Sequence, residues 1–372
     1  MFKKYLQTMV IMRGQVLTTG HCKLIMSAIK EGEETLIVLG SHNSPRTVQN
    51  PFTCEEREKM IRSWLRTMVI EDTVKFLYLE DYQHDDDWVN ELGKLLFRNK
   101  PDNYVRVEDR AIFTSSKDND GELRNSWAKG LAKVVNVLPI TSNTSKTINA
   151  TNARNYLFSQ LPDYESKCKA LQKLHNDGII NITVASSLLE WFIDNDYGKD
   201  LYDEYQECIN YEERYGKGSA HLTSDALVVV RKEHKTEFGT LHYPEYMLIK
   251  RDGKVGKNLL AISGGFVDND ETFEDAAIRE LEEETGLKLS KDKITHRIVA
   301  DSPNRDPRAR IVSIVHVFDV TEHELKNVKA GDDASEIVFK TFENIKKSDL
   351  FSDHYDTIKM YHNQLINNKG NI

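Results

Sequence analysis

Cysteine is scarce in this chain: 372 residues hold four, Cys22, Cys54, Cys168 and Cys208, with no Cys-x-x-Cys pair among them. Neither a disulfide framework nor a thiolate metal site fits that usage, and the four read as free thiols. Also missing is any apolar run near the roughly 18–20 residues that a bilayer crossing needs, which excludes a membrane partner. The opening MFKKYLQTMVIM is too short in its apolar part for a secretion signal and has no small-residue cleavage site, so it reads as the first strand of a cytoplasmic protein. An excess of positive charge is lacking as well. The chain has 50 Lys and Arg against 59 Asp and Glu, a net charge of −9, which argues against nucleic acid as a partner because one polyanion repels another. There is no internal repeat and no low-complexity tract. What remains is an ordinary composition, 39% hydrophobic and 29% charged, at a length that suits two domains of about 100–200 residues each.

Short runs rich in Val, Ile and Leu at 7–12, 35–39, 74–79 and 134–138 have the length of buried strands. Helical candidates alternate with them at 23–30, 55–66 and 88–97. Strand–helix alternation predicts βαβ units and a doubly wound parallel sheet, an α/β domain over residues 1–165 with its ligands at the carboxyl ends of the strands. Residues 166–219 then read as a helical connector rich in Tyr, Asp and Glu. After the turn-forming Tyr215-Gly216-Lys217-Gly218-Ser219 comes a second, α+β domain over 220–372, with strands predicted at 226–231, 245–250, 259–262 and 311–319 around one helix, 272–285.

That helix carries the strongest chemical signal. GGFVDNDETFEDAAIRELEEETGL fits G-x5-E-x7-R-E-U-x-E-E-x-G-U, with U apolar, at Gly265, Glu271, Arg279, Glu280, Leu281, Glu283, Glu284, Gly286 and Leu287. Glu280, Glu283 and Glu284 are spaced i, i+3 and i, i+4, so their carboxylates share one helical face. Three like charges there destabilise an isolated helix unless a cation sits among them, and oxygen ligands completed by water and phosphate suit Mg²⁺, with Mn²⁺ as a substitute. This pattern resembles the signature of Nudix hydrolases, and the resemblance runs from about Leu222 to Tyr361. It implies metal binding by Glu280, Glu283 and Glu284 with the Gly265 backbone, a carboxylate-orienting Arg279 and a loop-buttressing Glu271. Asp301-Ser-Pro-Asn-Arg-Asp-Pro-Arg-Ala-Arg310 resembles the segment after the box in ADP-ribose pyrophosphatases, with Arg305, Arg308 and Arg310 as phosphate holders, or else a turn with solvated arginines. Gly331-Asp-Asp-Ala-Ser-Glu336 resembles the late loop bearing a further carboxylate, for which Glu336 is the candidate general base, or else a solvent-facing loop.

In the first domain, Met12-Arg-Gly-Gln-Val-Leu-Thr-Thr-Gly-His21 follows the first strand and leads into a helix, whose N-terminus offers N–H groups and positive dipole to a phosphate. Gly20 permits close approach of the backbone, and His21 adds a donor. Thr18-Thr-Gly-His21 matches the (H/T)xGH signature of the nucleotidyltransferase superfamily, a tetrapeptide that alone would fit a capping turn. Ile148-Asn-Ala-Thr-Asn-Ala-Arg154 resembles the superfamily's ISxTxxR-type element, with Thr151 as a helix cap and Arg154 reaching a triphosphate. GSHNSPRTVQNPFTCEER, Gly40 to Arg57, resembles the corresponding segment of nicotinamide mononucleotide (NMN) adenylyltransferases fused to Nudix domains. Trp88 stands where that family stacks the nicotinamide ring, although a lone tryptophan is more often core.

The resemblance covers nearly the whole chain and implies a Rossmann-like adenylyltransferase domain and a Nudix-fold domain. The first would make NAD and pyrophosphate from ATP and NMN, with Arg13, Gln15, Thr18, Gly20, His21, Arg46, Trp88, Thr151 and Arg154 at its site. The second would cut ADP-ribose to AMP and ribose 5-phosphate. Small nucleotides are the implied partners, and a homo-oligomer stays open. The chain departs from the family at Met12 to Leu17 and by Thr18 in place of a histidine. Two other readings are an adenylyltransferase for another phosphate acceptor, and an N-terminal domain that senses NAD without catalysis.

Overall fold

A computed structural model describes residues 4–82, 85–99, 106, 109–115, 136–140, 149–236, 239–326, 328–331 and 334–369. The chain divides into two compact units, Met1–Tyr202 and Asp203–Ile372.

In the first unit, β1 (Tyr5–Met12), α1 (Thr19–Glu31), β2 (Gly32–His42), α2 (Cys54–Arg66), β3 (Val74–Glu80), α3 (Asp85–Arg98), β4 (Arg110–Ser115) and β5 (Asn136–Ile140) follow in turn. The sheet order is β3-β2-β1-β4-β5, and every pairing is parallel. The chain winds outward from β1 to β3, then returns to the other side of β1 at β4. A topological switch point therefore lies at the carboxyl ends of β1 and β4, the place where open α/β sheets form a ligand crevice. β4 is absent from the sequence expectation. It opens on Arg110, a buried guanidinium that donates to Gln7 Oε1 at 2.9 and 2.6 Å and to Leu96 O at 3.1 Å, so a charge marks the start of an inner strand. Of the fourth expected strand, Val134 and Val135 lie outside the described residues.

Helices α4 (Ala150–Ser159), α5 (Tyr164–Asn176), α6 (Ile182–Asp194) and α7 (Tyr197–Tyr215) complete the α-helical part of the middle of the chain. The stretch 166–219 is shared between the units. α6 packs inside the first unit, where Trp191 meets Phe52 edge-on at 4.9 Å and Phe192 meets Phe158 at 5.8 Å. From Asp203 onward α7 belongs to the second unit.

The second unit is a mixed sheet in the order β10-β11-β6-β7-β12, built from β6 (Ala220–Thr236), β7 (Gly239–Arg251), β10 (Ile294–Ala300), β11 (Arg310–Val320) and β12 (Ala334–Lys340). The short strands β8 (Leu260–Ala261) and β9 (Ser263–Phe266) pair with β7 and β6. Alternation along β6 explains the rest of the packing: Ala226, Val228 and Val230 meet Ala277 and Leu281 of α8 (Phe273–Thr285), while Leu227 and Val229 meet Ile358 and Tyr361 of α9 (His354–Lys369). Both faces are covered, which is why the middle of β6 reads as a continuous apolar run. Among the described residues no helix is long and apolar enough to cross a membrane.

Candidate active sites

Helix α8 begins on Thr272, whose side chain accepts from Asp275 N, and ends on Gly286 in the left-handed conformation at φ 66°, which glycine adopts without strain. Arg279, Glu280 and Glu284 line a cavity of about 280 Å³ with Gly264, Gly265 and Phe266 of β9, Thr223 and Asp225 of β6, and Arg251, Arg305, Asp306 and Arg308. Ile311, Phe351 and His354 add to its wall. Both glycines are needed by close approach: a Cβ at Gly265 would lie 2.3 Å from the Glu280 carboxylate, and one at Gly264 would lie 2.2 Å from Asp225 Oδ1.

Arg279 organises the helix carboxylates. Its Nη1 donates to Glu280 Oε1 at 2.7 Å and Glu283 Oε2 at 3.0 Å, its Nε and Nη2 hold Glu271 at 3.1 and 2.7 Å, and Nη2 also reaches Phe266 O at 3.0 Å. Glu271 accepts from Asp268 N at 2.9 Å, and the Arg279 guanidinium holds its carboxyl below the usual range. Burial acts the other way on the cavity carboxylates. It raises Glu280, pushes Glu284 up to about 7 even though Gly264 N donates to it at 3.1 Å, and pushes Asp225 up to about 6 against Arg305 and Ser313. Among the described residues no group of three His, Cys, Asp or Glu side chains stands ready as a metal cluster. Glu280 and Glu284, carboxylates disfavoured as anions by burial and facing a polar cavity, are nevertheless a donor set that fits a hard divalent cation. His354 accepts from Ile262 N through Nδ1 at 2.9 Å, and burial lowers it to about 3, so it is a neutral wall residue at ordinary pH.

In the first unit, the segment after β1 leads into α1 at the switch point. Thr18 N donates to His21 Nδ1 at 3.1 Å, with Thr18 Oγ1 also 3.1 Å from that atom. An Nδ1 that accepts a backbone proton leaves the ring proton of a neutral imidazole on Nε2, so His21 presents an N–H donor there. The start of α1 is anchored by Thr19, which donates to Ile179 O and Gly178 O at 2.8 Å each. Arg57, buried, donates to Arg13 O, to Gly40 O at 2.9 Å and to Thr53 O at 3.1 Å, clamping the ends of β1 and β2 to α2. Arg154 donates to Gln49 O at 3.0 Å, and its buried Nε has no partner among the described residues. Burial and then the nearby Arg13 lower Arg154 to about 10. A buried guanidinium disfavoured by burial and by a second guanidinium marks a place for an anion.

Residues 15–152 match the cytidylyltransferase-like family and residues 222–361 match the NUDIX domain family. The chain joins a cytidylyltransferase-like domain to a NUDIX domain. Over 115 residues the chain is 45% identical to an ADP-ribose pyrophosphatase of Methanocaldococcus jannaschii, covering 31% of this chain and 64% of that protein. Over 86 residues the chain is 34% identical to a nicotinamide/nicotinic acid mononucleotide adenylyltransferase of Acinetobacter baylyi, covering 23% of this chain and 44% of that one. The chain thus spans less than two thirds of the length of either curated relative. A solved bifunctional NMN adenylyltransferase/ADP ribose pyrophosphatase from Francisella tularensis is similar over 96% of this chain and 98% of its own, at 27% identity and TM-score 0.75. A second Francisella tularensis structure of that description, complexed with AMP and a manganese ion, covers 97% and 99% at 25% identity and TM-score 0.76.

The expected site residues fall into distinct groups. In the NUDIX domain, Gly265, Glu280, Glu284, Arg305 and Arg308 line one cavity, whereas Glu283, Arg310 and Glu336 do not. Glu283 is exposed beside Arg279, Arg310 donates to Asp301 O at 2.5 Å, and Glu336 is an exposed residue of strand β12 rather than of a loop. The neighbouring Asp332 and Asp333 lie outside the described residues. Arg305 and Arg308 are held by Asp353 and Asp306 at 2.9 and 2.7 Å. Arg251 and Asp225 were not among the candidates. Asp225 had a signal, a lone carboxylate in the apolar run of β6; Arg251 had none, since it enters the cavity only through the pairing of β7.

In the cytidylyltransferase-like domain, Gln15 is buried and accepts from Phe52 N at 3.1 Å, shaping the loop that Arg13 also holds through Asn50 Oδ1 at 2.6 Å. Arg46 is bidentate to Glu56 at 3.0 and 3.1 Å and lies over the Tyr197 ring at 4.3 Å. Trp88 packs against the core of this domain. The cap of α4 is Asn149, whose side chain accepts from Thr151 N at 2.8 Å; Thr151 is itself inside the helix and exposed, because the shorter reach of Asn149 already satisfies that N–H. Ile148 lies outside the described residues. Gly20 is the second residue of α1, one position before His21.

Proposed function

We propose that the chain is a bifunctional enzyme of NAD metabolism, with an Mg²⁺-dependent ADP-ribose pyrophosphatase in the second unit and an NMN adenylyltransferase in the first. The observation that supports it most is the NUDIX cavity, in which Glu280 and Glu284 share one space with Arg251, Arg305 and Arg308. Carboxylates for a divalent cation and guanidiniums for phosphates are the two halves of a pyrophosphate site. The bound ion would supply Lewis-acid polarisation of the pyrophosphate and a more acidic water. Glu280 and Glu284 would hold it beside Gly265, Arg279 would orient Glu280, and the arginines would position the substrate. Water adds to one phosphorus, the bridging P–O bond breaks, and AMP and ribose 5-phosphate leave.

In the first unit, an oxygen of the NMN 5′-phosphate would form a bond to the α-phosphorus of ATP as the bond to pyrophosphate breaks. The reaction needs positioning and charge stabilisation rather than a covalent enzyme intermediate. His21 Nε2–H, Arg13 and Arg154 would stabilise the phosphates at the N-terminus of α1. The working boundaries proposed are residues 1–165 for transfer, 166–219 for the helical connection and 220–372 for hydrolysis. Incubation with ATP, NMN and Mg²⁺, followed by chromatography for NAD, tests the first activity. ADP-ribose with Mg²⁺, followed for AMP, tests the second. Absence of either product removes that half of the proposal.

The burial of Glu284 adds a pH-dependent expectation. Its folded value, about 7, lies above the ordinary 4.5, so without metal this group contributes stability that is full below about 4.5 and is lost as pH rises through about 7. A cation requires the carboxylate and reverses the trend. Mg²⁺ is expected to raise the melting temperature more at pH 8 than at pH 5.5 in scanning fluorimetry. Equal rises at both values would remove Glu284 from the cation site.

A further inference from the structure

The last turns of α7 lie outside residues 222–361, yet they belong to the second unit and build its cavity from behind. Tyr211 is 8% exposed, and its ring stacks on Phe266 with centroids 6.1 Å apart and planes 20° from parallel. The Arg308 guanidinium lies over both rings, 5.7 Å from the Tyr211 centroid and 5.6 Å from that of Phe266. His221 packs edge-on against both rings, 5.2 Å from Tyr211 and 6.0 Å from Phe266. Asp306 occupies Nε and Nη2 of Arg308 at 2.9 and 2.7 Å, and Nη1 has no partner among the described residues. Phe266 and Arg308 line the cavity, and Tyr211 does not.

We propose that Tyr211 is a positioning residue of the hydrolase site, holding Phe266 and Arg308 as an aromatic and cationic wall that sets affinity for a nucleoside diphosphate derivative. The inference rests on the hydrolase reading given above. Phe266 keeps 37% of its surface exposed, so one part of the ring is free for a planar heteroaromatic group while Tyr211 backs the rest. An arginine braced by a carboxylate and two ring faces loses little freedom when it meets a ligand, and that preorganisation strengthens binding. Neither wall residue carries the reacting water or the helix carboxylates. Losing the wall therefore weakens substrate and transition state alike, a change in KM rather than in kcat.

The test uses the full chain with Tyr211→Leu and Tyr211→Phe. KM and kcat for ADP-ribose hydrolysis are measured with Mg²⁺, Kd for ADP-ribose by calorimetry without metal, and NAD formation as a control on the first unit. Tyr211→Leu, which keeps apolar bulk and loses the ring, is expected to raise KM and Kd about 10-fold, equivalent to ~1.4 kcal/mol, with kcat changed by less than about 2-fold. Tyr211→Phe is expected to match the wild type. Unchanged KM and Kd in Tyr211→Leu would overturn the proposal. So would a joint fall of kcat, NAD formation and melting temperature, which is loss of fold, or a Tyr211→Phe as damaged as Tyr211→Leu. A wild-type chain that binds ADP-ribose without cutting it counts against the hydrolase reading, and the ratio of Kd values then decides the role of Tyr211. One that neither binds nor cuts it ends both.

Discussion

Glu284→Gln is expected to lower ADP-ribose hydrolysis by at least about 10²-fold, the scale on which losing a metal-site or charge-stabilising group acts, and to leave NAD formation unchanged. The substitution preserves shape. The remaining amide oxygen can still accept from Gly264 N, which now reaches Glu284 at 3.1 Å, so strand β9 keeps that support. What disappears is one negative charge. Because burial already disfavours that charge in the metal-free protein, its removal is expected to leave the melting temperature equal or higher without metal, while the gain on adding Mg²⁺ shrinks. Lost activity with undiminished stability separates a cation ligand from a structural carboxylate. Wild-type hydrolysis in the variant would move the cation to other groups of the cavity, of which Glu280 and Asp225 are the nearest in kind.

The chemistry-bearing helix was legible because several independent constraints coincide there. Thr272 before an acidic first turn starts a helix, Gly286 ends it, and the glutamates between them share a face with Arg279; the structure has these limits and Thr272 as the cap. The inner strands β1, β2 and β6 were legible because burial on both faces leaves long apolar runs, and β3, though at the edge of its sheet, was legible from the apolar residues of VKFLYLE. The edge strands of the second sheet offer no such run. β10 and β12 are mostly exposed or half-exposed, as in ITHRIVA and ASEIVFK, and neither stood out from its surroundings. Helix α9 was hidden for the opposite reason, since it buries His354, Thr357 and His362, polar types that periodicity counts as solvent-facing. The cavity wall was legible only where the chain brings its members together locally. Glu280, Glu284 and Gly265 come from one motif, but Arg251, Asp225 and His354 reach the same space from three elements far apart in sequence, through sheet pairing and helix packing that no short spacing encodes.

His21→Ala is expected to slow adenylyl transfer by roughly 10²–10³-fold, the range for removing one preorganised donor from a site of developing charge, and to spare ADP-ribose hydrolysis. The position of the ring supports this beyond the tetrapeptide. β1 lies beside β4 at the switch point of the parallel sheet, and His21 stands in the first turn of the helix that leaves β1, where the helix dipole favours an anion. Thr18 N donates to Nδ1, which orients the ring and leaves the proton of a neutral imidazole on Nε2. Thr18 therefore has a use in this chain that a second histidine is not required to fill. Arg154 and Arg13, held near one another at the cost of a lowered Arg154, supply the charge that would bring a triphosphate to that donor. Alanine removes the imidazole and with it a contact at the helix start, a loss of about 1 kcal/mol on the scale of helix caps, so rates are to be compared well below the melting temperature and at saturating ATP and NMN. A fall in kcat with KM for both substrates nearly unchanged assigns His21 to the transition state. A rise in KM alone assigns it to ground-state binding of phosphate, and an unchanged kcat and KM would leave it as a residue that only closes the first turn of α1.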